Sequence, residues 1–366
     1  MSQHRLSQGI AAAITVAALF GISLISGCNA SSTSATSSAA EPTAVLGAAG
    51  STFIAPLMSK WVSGYRQTHP TVQINYRPIG SGSGIEELRQ GYLSFGASDA
   101  PLNDDQLKNM SAVVQVPASA GPVCVVYNLP GLRASLKLTA KTLSEIYLGN
   151  IIDWQDPSIA RDNPGVTLPK AAVIVVHRSD GSGTTSIFTS YLAKVSQDWL
   201  GKAGHGLSVT WPIGIGTEGS KGMLAIVKQT PGTIGYMELN YAKQNGVAFA
   251  SVQNKAGQFV QPSPSGATAA IEAFSNDLAK DLRAPIVDPP ASARDAYPIS
   301  GFSFILIPKD CADSGQQEAI RDFVDFAISK GQDSAEELSY AKLPGAVQKQ
   351  GETLLAQLTV NGQPLK

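Results

Sequence analysis

Apolar residues along this chain recur at two alternating spacings, that of helices and that of strands. Leu57, Trp61 and Tyr65 lie on one helical stripe, whereas residues 71–76 alternate between apolar and polar side chains as in a half-buried strand. A further helical stripe runs through residues 320–327, and no repeat period is visible. Helices and strands that alternate in this way predict an α/β fold with mostly parallel sheets.

The N-terminus has a different pattern, an uncharged apolar stretch at residues 10–25 that follows Arg5. This is typical of a secretory signal peptide, and the stretch is short of the roughly 20 residues that a transmembrane anchor needs. Residues 25–27 (ISG) stand directly before Cys28 and resemble the lipobox of bacterial lipoproteins. We therefore predict a signal peptide at 1–27 and a protein anchored to a bacterial membrane through a lipid on Cys28, in the periplasm or at the cell surface.

The segment after the cysteine predicts a tether and then two domains. Residues 29–42 are nearly all Ser, Thr and Ala, so residues 28–42 are predicted to form a lipidated cysteine followed by a flexible linker. The chain from residue 43 onward is long enough for two domains of ordinary size. Turn signals at residues 121–122 (GP) and 288–290 (DPP) are the best candidates for crossings between them.

Composition and charge exclude several classes of function. The net charge of −1 lacks the basic excess that a nucleic-acid partner requires. The four histidines are scattered without ligand spacing, so no metal site is predicted. Cys124 and Cys311 both lie in or next to apolar stretches. They could form a disulfide in an export compartment or remain as buried free thiols, and the sequence leaves both alternatives open.

The most informative motif is RSDGSGTT at residues 178–185. It follows an apolar run at 171–176 and precedes a helical pattern at 186–195, which predicts a strand, a glycine-rich turn and a helix. A helix N-terminus offers unpaired N–H groups and a positive dipole end, which together favour an anion. The motif adds hydroxyls, the guanidinium of Arg178 and, unexpectedly for a simple anion site, the carboxylate of Asp180.

Three other segments have similar chemistry, namely GAAGSTF at 47–53, GSGSG at 80–84 and FGASDAPL at 95–102. In an open α/β sheet, turns between strands and helices gather at the carboxyl ends of the strands, where ligands bind. Thr52 is also placed to cap the helix that follows it. None of the segments matches a P-loop, a dinucleotide fingerprint or a nucleophile elbow, so covalent catalysis is disfavoured.

Together the four motifs resemble those of the periplasmic phosphate-binding proteins of phosphate-specific (Pst) ABC importers. The likeness continues through IYLG at 146–149, FTSYL at 188–192, WPIG at 211–214 and FILI at 304–307, and so covers nearly the whole chain after residue 42. The resemblance implies a two-lobed, type II-like Venus-flytrap fold that closes on inorganic phosphate and delivers it to the membrane permease subunits of an importer. It implies a monomer that is not an enzyme and that needs neither cofactor nor metal.

On this resemblance, residues 43–122 and 298–366 form one lobe, and residues 123–297 form the other. The expected phosphate ligands are Thr52, Phe53 (backbone N–H), Ser81, Asp99, Arg178, Ser182, Gly183 (backbone N–H) and Thr184. Asp180 is expected to orient Arg178. The chain departs from the family pattern where Ile54 replaces a common proline, where Gly82-Ser83 replaces a Ser-Gly arrangement, and where His177 replaces a common arginine.

Asp99 gives this ligand set its expected selectivity. A carboxylate repels an anion unless the anion has a proton to share, as hydrogen phosphate and dihydrogen phosphate do and sulfate does not. Asp99 is therefore predicted to admit phosphate and to exclude fully ionised oxyanions. The alternatives are a binding protein for sulfate or molybdate, against which Asp99 argues, and an extracytoplasmic enzyme acting on phosphate esters, which lacks a nucleophile or metal site.

Overall fold

The computed structural model describes residues 43–365, in which strands and helices alternate. The strands are β1 (Ala44–Gly50), β2 (Val72–Pro78), β3 (Phe95–Ser98), β4 (Val113–Tyr127), β5 (Lys137–Leu138), β6 (Ile174–Arg178), β7 (Ile215–Thr217), β8 (Thr233–Glu238), β9 (Ala248–Phe249), β10 (Ser251–Gln253), β11 (Phe259–Val260), β12 (Ser300–Pro308), β13 (Asp310–Cys311), β14 (Thr359–Val360) and β15 (Gln363–Pro364). The helices are α1 (Ala55–Thr68), α2 (Ser81–Arg89), α3 (Asp104–Lys108), α4 (Ala140–Tyr147), α5 (Pro157–Asp162), α6 (Gly183–Val195), α7 (Gln197–Lys202), α8 (Gly219–Gln229), α9 (Leu239–Gln244), α10 (Pro264–Ala273), α11 (Ser275–Leu278), α12 (Ser314–Ile328) and α13 (Gly345–Leu355), with a 3-10 helix at Lys330–Ser334.

Nine of the described strands form one sheet, with the order β2-β1-β3-β12-β4-β8-β6-β7 and β9 paired to β4. Two groups of parallel strands lie at its ends, β2-β1-β3 on one side and β8-β6-β7 on the other. Between them, β12 and β4 run antiparallel to their neighbours. The predicted α/β class is therefore confirmed, with the parallel strands concentrated in the two end groups.

The 15-residue strand β4 takes part in both halves of this sheet. From Val113 to Pro122 it pairs with β12, and from Val123 to Tyr127 it pairs with β8. The pairing partner thus changes at the position where the sequence places a lobe boundary. All described residues belong to one compact unit, so the exact lobe limits at residues 122 and 297 stay a prediction.

The helical stripe predicted near residue 57 belongs to α1, which buries Leu57, Trp61 and Tyr65 against the core. The prediction that Thr52 caps this helix is wrong. α1 begins at Ala55, its N-cap residue is Ile54, and no side chain caps it. The hydroxyl of Ser51 instead accepts the backbone N–H groups of the next turn, and this frees the Thr52 hydroxyl for other contacts.

Both cysteines in the described part of the chain are free thiols. Cys124 is buried in β4, whereas Cys311 is partly exposed in β13. Of the two alternatives left by the sequence, the structure therefore has unpaired thiols. The predicted signal peptide, the lipidated Cys28 and the tether at 28–42 lie outside the described residues. Among residues 43–365, no helix combines the length and the apolar character that a membrane crossing requires.

Candidate functional site

The four polar loops identified in the sequence lie together in the structure. β2 leads into Ser81, β3 ends directly before Asp99, and β6 ends at Arg178. Because β1, β2 and β3 are parallel, the loops that follow them share one edge of the sheet. The Gly82 backbone N–H donates to the Gly181 carbonyl at 2.8 Å, which joins the loop after β2 to the loop after β6.

Asp99 occupies the centre of this arrangement and is only 4% exposed. Its Oδ1 atom accepts hydrogen bonds from the hydroxyls of Ser51 (2.5 Å) and Ser303 (2.6 Å). The Asp99 backbone N–H donates to Ser81 Oγ at 3.2 Å. Its Oδ2 atom lies beside Gly183, since a Cβ atom added at that glycine would be 2.5 Å from it. The carboxylate is thus fixed through one oxygen, and the other lies at the N-terminus of α6.

The surroundings of Asp99 set its ionisation. Burial raises the pKa of this carboxyl to about 6, even though the hydroxyls of Ser303 and Ser51 and the charge of Arg178 act to lower it. At neutral pH the group is therefore largely an anion, because its pKa remains below 7. The carboxylate can accept a hydrogen bond from a ligand that has a proton. An oxyanion without a proton beside it would be destabilised by repulsion.

Arg178 is the cation of the site and is 3% exposed. Its Nε atom donates to Asp180 Oδ1 at 2.6 Å, its Nη2 atom donates to Asp180 Oδ2, and its Nη1 atom donates to Thr52 Oγ1 at 3.3 Å. Burial alone would lower the pKa of the guanidinium, but the hydrogen bonds and charge of Asp180 outweigh it and the pKa lies above its usual value. The Asp180 carboxylate thus accepts two hydrogen bonds from Arg178 and also accepts the Gly219 N–H at 3.2 Å, and its role of orienting the arginine stays a prediction.

The N-terminus of α6 supplies hydroxyls and backbone N–H groups. Ser182 is the N-cap residue, and its hydroxyl accepts the Thr185 N–H at 3.1 Å. Gly183 and Thr184 are the first two helical residues, whose N–H groups have no carbonyl within the helix to bind. The Thr184 hydroxyl is buried and has no hydrogen-bond partner among the described residues. An unpaired buried hydroxyl at a helix N-terminus fits a site that takes an anion.

The loop after β1 contributes Thr52 and Phe53. Thr52 Oγ1 lies 2.9 Å from Ser220 Oγ and also accepts from Arg178. Phe53 is fully buried, and its backbone N–H donates to Ser51 Oγ at 3.0 Å. The Phe53 N–H is therefore engaged within its own loop in this conformation, and its role as a ligand donor stays a prediction.

Several residues that build the site are absent from the sequence-based set. Ser51 and Ser303 hold Asp99, and the Tyr236 hydroxyl accepts the Arg178 backbone N–H at 3.1 Å. Ser220 and Glu238 lie behind Thr52. Of these residues, only Ser51 lies inside a motif identified in the sequence, GAAGSTF, and could have been predicted to belong to the site. The others are single polar residues at the ends or centres of apolar strands, or at the start of a helix.

One departure from the family pattern has a structural explanation. The His177 ring stacks on Trp211, with centroids 4.7 Å apart and planes at 11°. Burial lowers the pKa of His177, which disfavours a charge at this position. The side chain therefore packs with the WPIG segment rather than adding a second cation next to Arg178.

The geometry provides one cation, one proton-accepting carboxylate and several neutral donors in a buried setting. Neutral hydroxyls and N–H groups can bind the oxygens of a small oxyanion, and the Asp99 carboxylate can accept a hydrogen bond from an oxyanion that carries a proton. Among residues 43–365, no group of three or more His, Cys, Asp and Glu side chains is placed to hold a metal ion.

Comparisons with known proteins identify the family of this chain. A family profile described as PBP superfamily domain matches residues 37–331. The chain is 40% identical over 329 residues to phosphate-binding protein PstS of Xylella fastidiosa, and the aligned region covers 90% of this chain and 89% of the relative. It is 41% identical over 300 residues to phosphate-binding protein PstS of Haemophilus influenzae, and this aligned region covers 82% of this chain and 89% of the relative.

A solved structure shares the fold. It is that of a high affinity periplasmic phosphate-binding protein (PfluDING) bound with phosphate, with a TM-score of 0.66, 21% identity, and coverage of 88% of this chain and 100% of that chain. The fold is thus the two-lobed fold of periplasmic binding proteins. The profile covers most of the chain. The sequence identity to the two relatives is 40% and 41%, over more than four-fifths of the length of this chain. The chain therefore belongs to the PBP superfamily and, within it, to the PstS family of phosphate-binding proteins.

Proposed function

We propose that this protein captures inorganic phosphate outside the cytoplasm and delivers it to an ABC importer. The proposed ligands are Thr52, Phe53, Ser81, Asp99, Arg178, Ser182, Gly183 and Thr184, and Asp180 holds the arginine. The bound ion is hydrogen phosphate or dihydrogen phosphate, and binding involves no covalent step. The relatives named phosphate-binding protein PstS support this proposal.

The observation that carries the proposal is the position of the Asp99 carboxylate. Oδ1 is held by two serine hydroxyls, whereas Oδ2 lies at the N-terminus of α6, the part of the site with unpaired N–H groups. An anion bound at that helix end meets a carboxylate oxygen. A proton on the anion turns this contact into a charge-assisted hydrogen bond, whereas without the proton the contact is repulsive.

Closure between two lobes provides the capture step. The loops of 80–84 and 178–185 belong to different predicted lobes, and they are joined by the hydrogen bond from Gly82 to Gly181. Phosphate that binds residues of both lobes stabilises the closed form relative to the open form. The closed protein then offers the surface that the permease subunits bind.

The remaining parts of the proposal concern location and assembly. The chain acts as a monomer, and a lipid on Cys28 tethers it to a bacterial membrane, with the protein in the periplasm or at the cell surface. The protein is a transport component and not an enzyme, and it uses no cofactor. The signal-like segment and the lipobox-like residues before Cys28 support this part.

Isothermal titration calorimetry with phosphate and with sulfate tests the proposal. We expect tight phosphate binding near pH 7 and sulfate binding weaker by at least about 1,000-fold, since each 1.4 kcal/mol of repulsion costs about a factor of ten. Equal or stronger binding of sulfate or molybdate would assign the protein to another oxyanion.

A further inference from the structure

A second buried carboxyl group lies behind the proposed phosphate ligands. Glu238 is the last residue of β8 and is 1% exposed. Its Oε2 atom is 3.1 Å from the hydroxyl of Ser220, which is itself buried at the start of α8. Ser220 Oγ is in turn 2.9 Å from Thr52 Oγ1. The carboxyl of Glu238 is therefore two hydroxyl groups away from a proposed ligand.

Glu238, Ser220 and Thr52 thus form a hydrogen-bonded chain of side chains, and the number of protons that they share restricts the direction of the hydrogen bonds between them. Each hydroxyl has one proton to donate, and an ionised carboxylate can only accept. If Glu238 is ionised, Ser220 donates to it, and Thr52 must donate to Ser220 or lose that hydrogen bond. Thr52, which already accepts from Arg178, then has no proton left for an anion.

Protonation of Glu238 reverses the direction. The carboxyl then donates to Ser220, Ser220 donates to Thr52, and the Thr52 proton becomes available for the bound ligand. Each oxygen in the chain keeps its hydrogen bond in this arrangement, and the chain ends on a donor that points away from Ser220. Chains of this kind are cooperative in a low dielectric, so the state at one end fixes the state at the other.

The environment of Glu238 favours the protonated form. Its Oε1 atom is buried without a hydrogen-bond partner among the described residues. Burial raises the pKa of this carboxyl to about 8, even though its own backbone N–H, the hydrogen bond from Ser220 and the charge of Arg178 lower it; the charge of Asp99 raises it further. The other titratable groups close enough to act on it are Cys124 of β4, Tyr241 of α9 and Tyr340, all with raised pKa values. An arriving phosphate adds negative charge and favours the proton further.

We propose that Glu238 is a positioning residue for the ligand. In its protonated form it directs the hydroxyls of Ser220 and Thr52 so that Thr52 donates its proton to the bound phosphate. This inference rests on the proposed function. It adds a second proton requirement to the site. Asp99 accepts a hydrogen bond from a proton on the ligand, whereas Glu238 must itself be protonated.

The test compares phosphate affinities of the wild type and Glu238→Gln by calorimetry between pH 6.5 and 9. The glutamine amide remains a donor to Ser220 at every pH. Ionisation of free phosphate affects both proteins equally and cancels in the ratio of their Kd values, whereas the coupling between Glu238 and Asp99 is present only in the wild type. We expect the ratio of wild-type Kd to variant Kd to rise about tenfold over this range, because a group titrating near pH 8 is about one-tenth protonated at pH 9. Parallel pH profiles would overturn the inference.

Ser220→Ala separates the hydroxyl chain from a direct effect of charge. This variant keeps the carboxyl of Glu238 but removes its connection to Thr52, so the Kd ratio of wild type to Ser220→Ala should rise in the same way. If only Glu238→Gln alters the profile, Glu238 acts through its charge and the hydroxyl chain is refuted. Glu272→Gln, at an exposed position on α10, is the matched control and should follow the wild-type profile.

The outcomes also distinguish this inference from the proposed function. A wild type that binds no phosphate at any pH refutes the proposed function and this inference with it. A wild type that binds phosphate with the same pH profile as both variants refutes only the role of Glu238. Circular dichroism establishes that each variant is folded, and if Glu238→Gln is not, the comparison of Ser220→Ala with the wild type decides.

Discussion

Gly183 lies against Asp99 with no room for a side chain. A Cβ atom at residue 183 would be 2.5 Å from Asp99 Oδ2 and 2.5 Å from Ser81 Oγ, closer than real Cβ contacts allow. Gly183 starts α6 in one predicted lobe, whereas Asp99 and Ser81 belong to the other. The glycine therefore permits the approach of the two halves of the site.

Gly183→Ala should separate these halves and weaken phosphate binding by at least about 100-fold, or roughly 3 kcal/mol. The physical reason is steric, since the methyl group collides with a fixed carboxylate and not with the end of a flexible side chain. Calorimetry measures the loss. Gly201→Ala on α7 is the matched control, because a Cβ there meets nothing within 4 Å, and it should bind as the wild type does.

Asp99→Asn should relax the exclusion of sulfate. The amide keeps the shape of the carboxyl but can donate a hydrogen bond to an ionised oxygen, so the preference for phosphate over sulfate should fall at least about tenfold. Competition calorimetry with both anions measures the preference. Asp198→Asn removes the same charge from an exposed position on α7 and should leave the preference unchanged. An unaltered preference in Asp99→Asn would place the selectivity elsewhere.

The stability of the ligand-free protein should depend on pH through Glu238. Its pKa of about 8 in the folded state lies above the ordinary value of 4.5, so the folded state binds this proton more tightly than the unfolded state. The corresponding stability is complete below pH 4.5 and is lost as the pH rises through 8. Glu238→Gln has no ionisable group at this position, so the variant does not lose this stability as the pH rises.

Thermal unfolding in phosphate-free buffer measures this effect. At pH 8 we expect the unfolding midpoint of Glu238→Gln to exceed that of the wild type by about 10 °C more than at pH 4.5, since a pKa raised from 4.5 to about 8 corresponds to several kcal/mol and roughly 1 kcal/mol shifts the midpoint by about 2–4 °C. A difference between the two proteins that is the same at both pH values would contradict the raised pKa.

Cys28→Ser should release the protein from the membrane fraction. The prediction depends on the lipobox-like residues before Cys28, because a serine cannot form the thioether that carries the lipid. Fractionation of expressing cells followed by immunoblotting detects the release, and Cys311→Ser serves as a cysteine control that should remain with the membrane. Membrane association of Cys28→Ser would refute lipid anchoring.

The four polar loops could be identified in the sequence because their chemistry is concentrated in short segments, and the structure places these loops together. The motif at 178–185 contains a cation, a carboxylate and three capping or ligand groups, and the structure brings it to Asp99 and Thr52. Glycine-rich turns after strands predict where ligands bind, since the fold places these turns at the carboxyl ends of the strands.

The supporting residues could not be predicted in the same way. Ser303 lies inside an apolar strand and contacts Asp99 across 204 positions of sequence, a distance that no local pattern spans. Glu238 follows an apolar strand as an isolated carboxyl, and its importance becomes visible only when Ser220 and Thr52 are seen beside it. Capping preference alone misplaced the role of Thr52, because α1 starts three residues later, at Ala55, and the hydroxyl of Ser51 accepts the N–H groups before it.

The position of β12 has a consequence for how the chain acquires its function during synthesis. This strand, made from residues 300–308, is inserted between β3 and β4, which lie within residues 95–127, and it supplies Ser303, one of the two serines that hold Asp99. Contacts so distant in sequence form late and slowly. A nascent chain that ends before residue 300 therefore has an incomplete sheet and an Asp99 carboxylate that lacks the hydrogen bond from Ser303, although Ser51 is already present. The complete central sheet and both serine contacts to Asp99 exist only in a nearly full-length polypeptide.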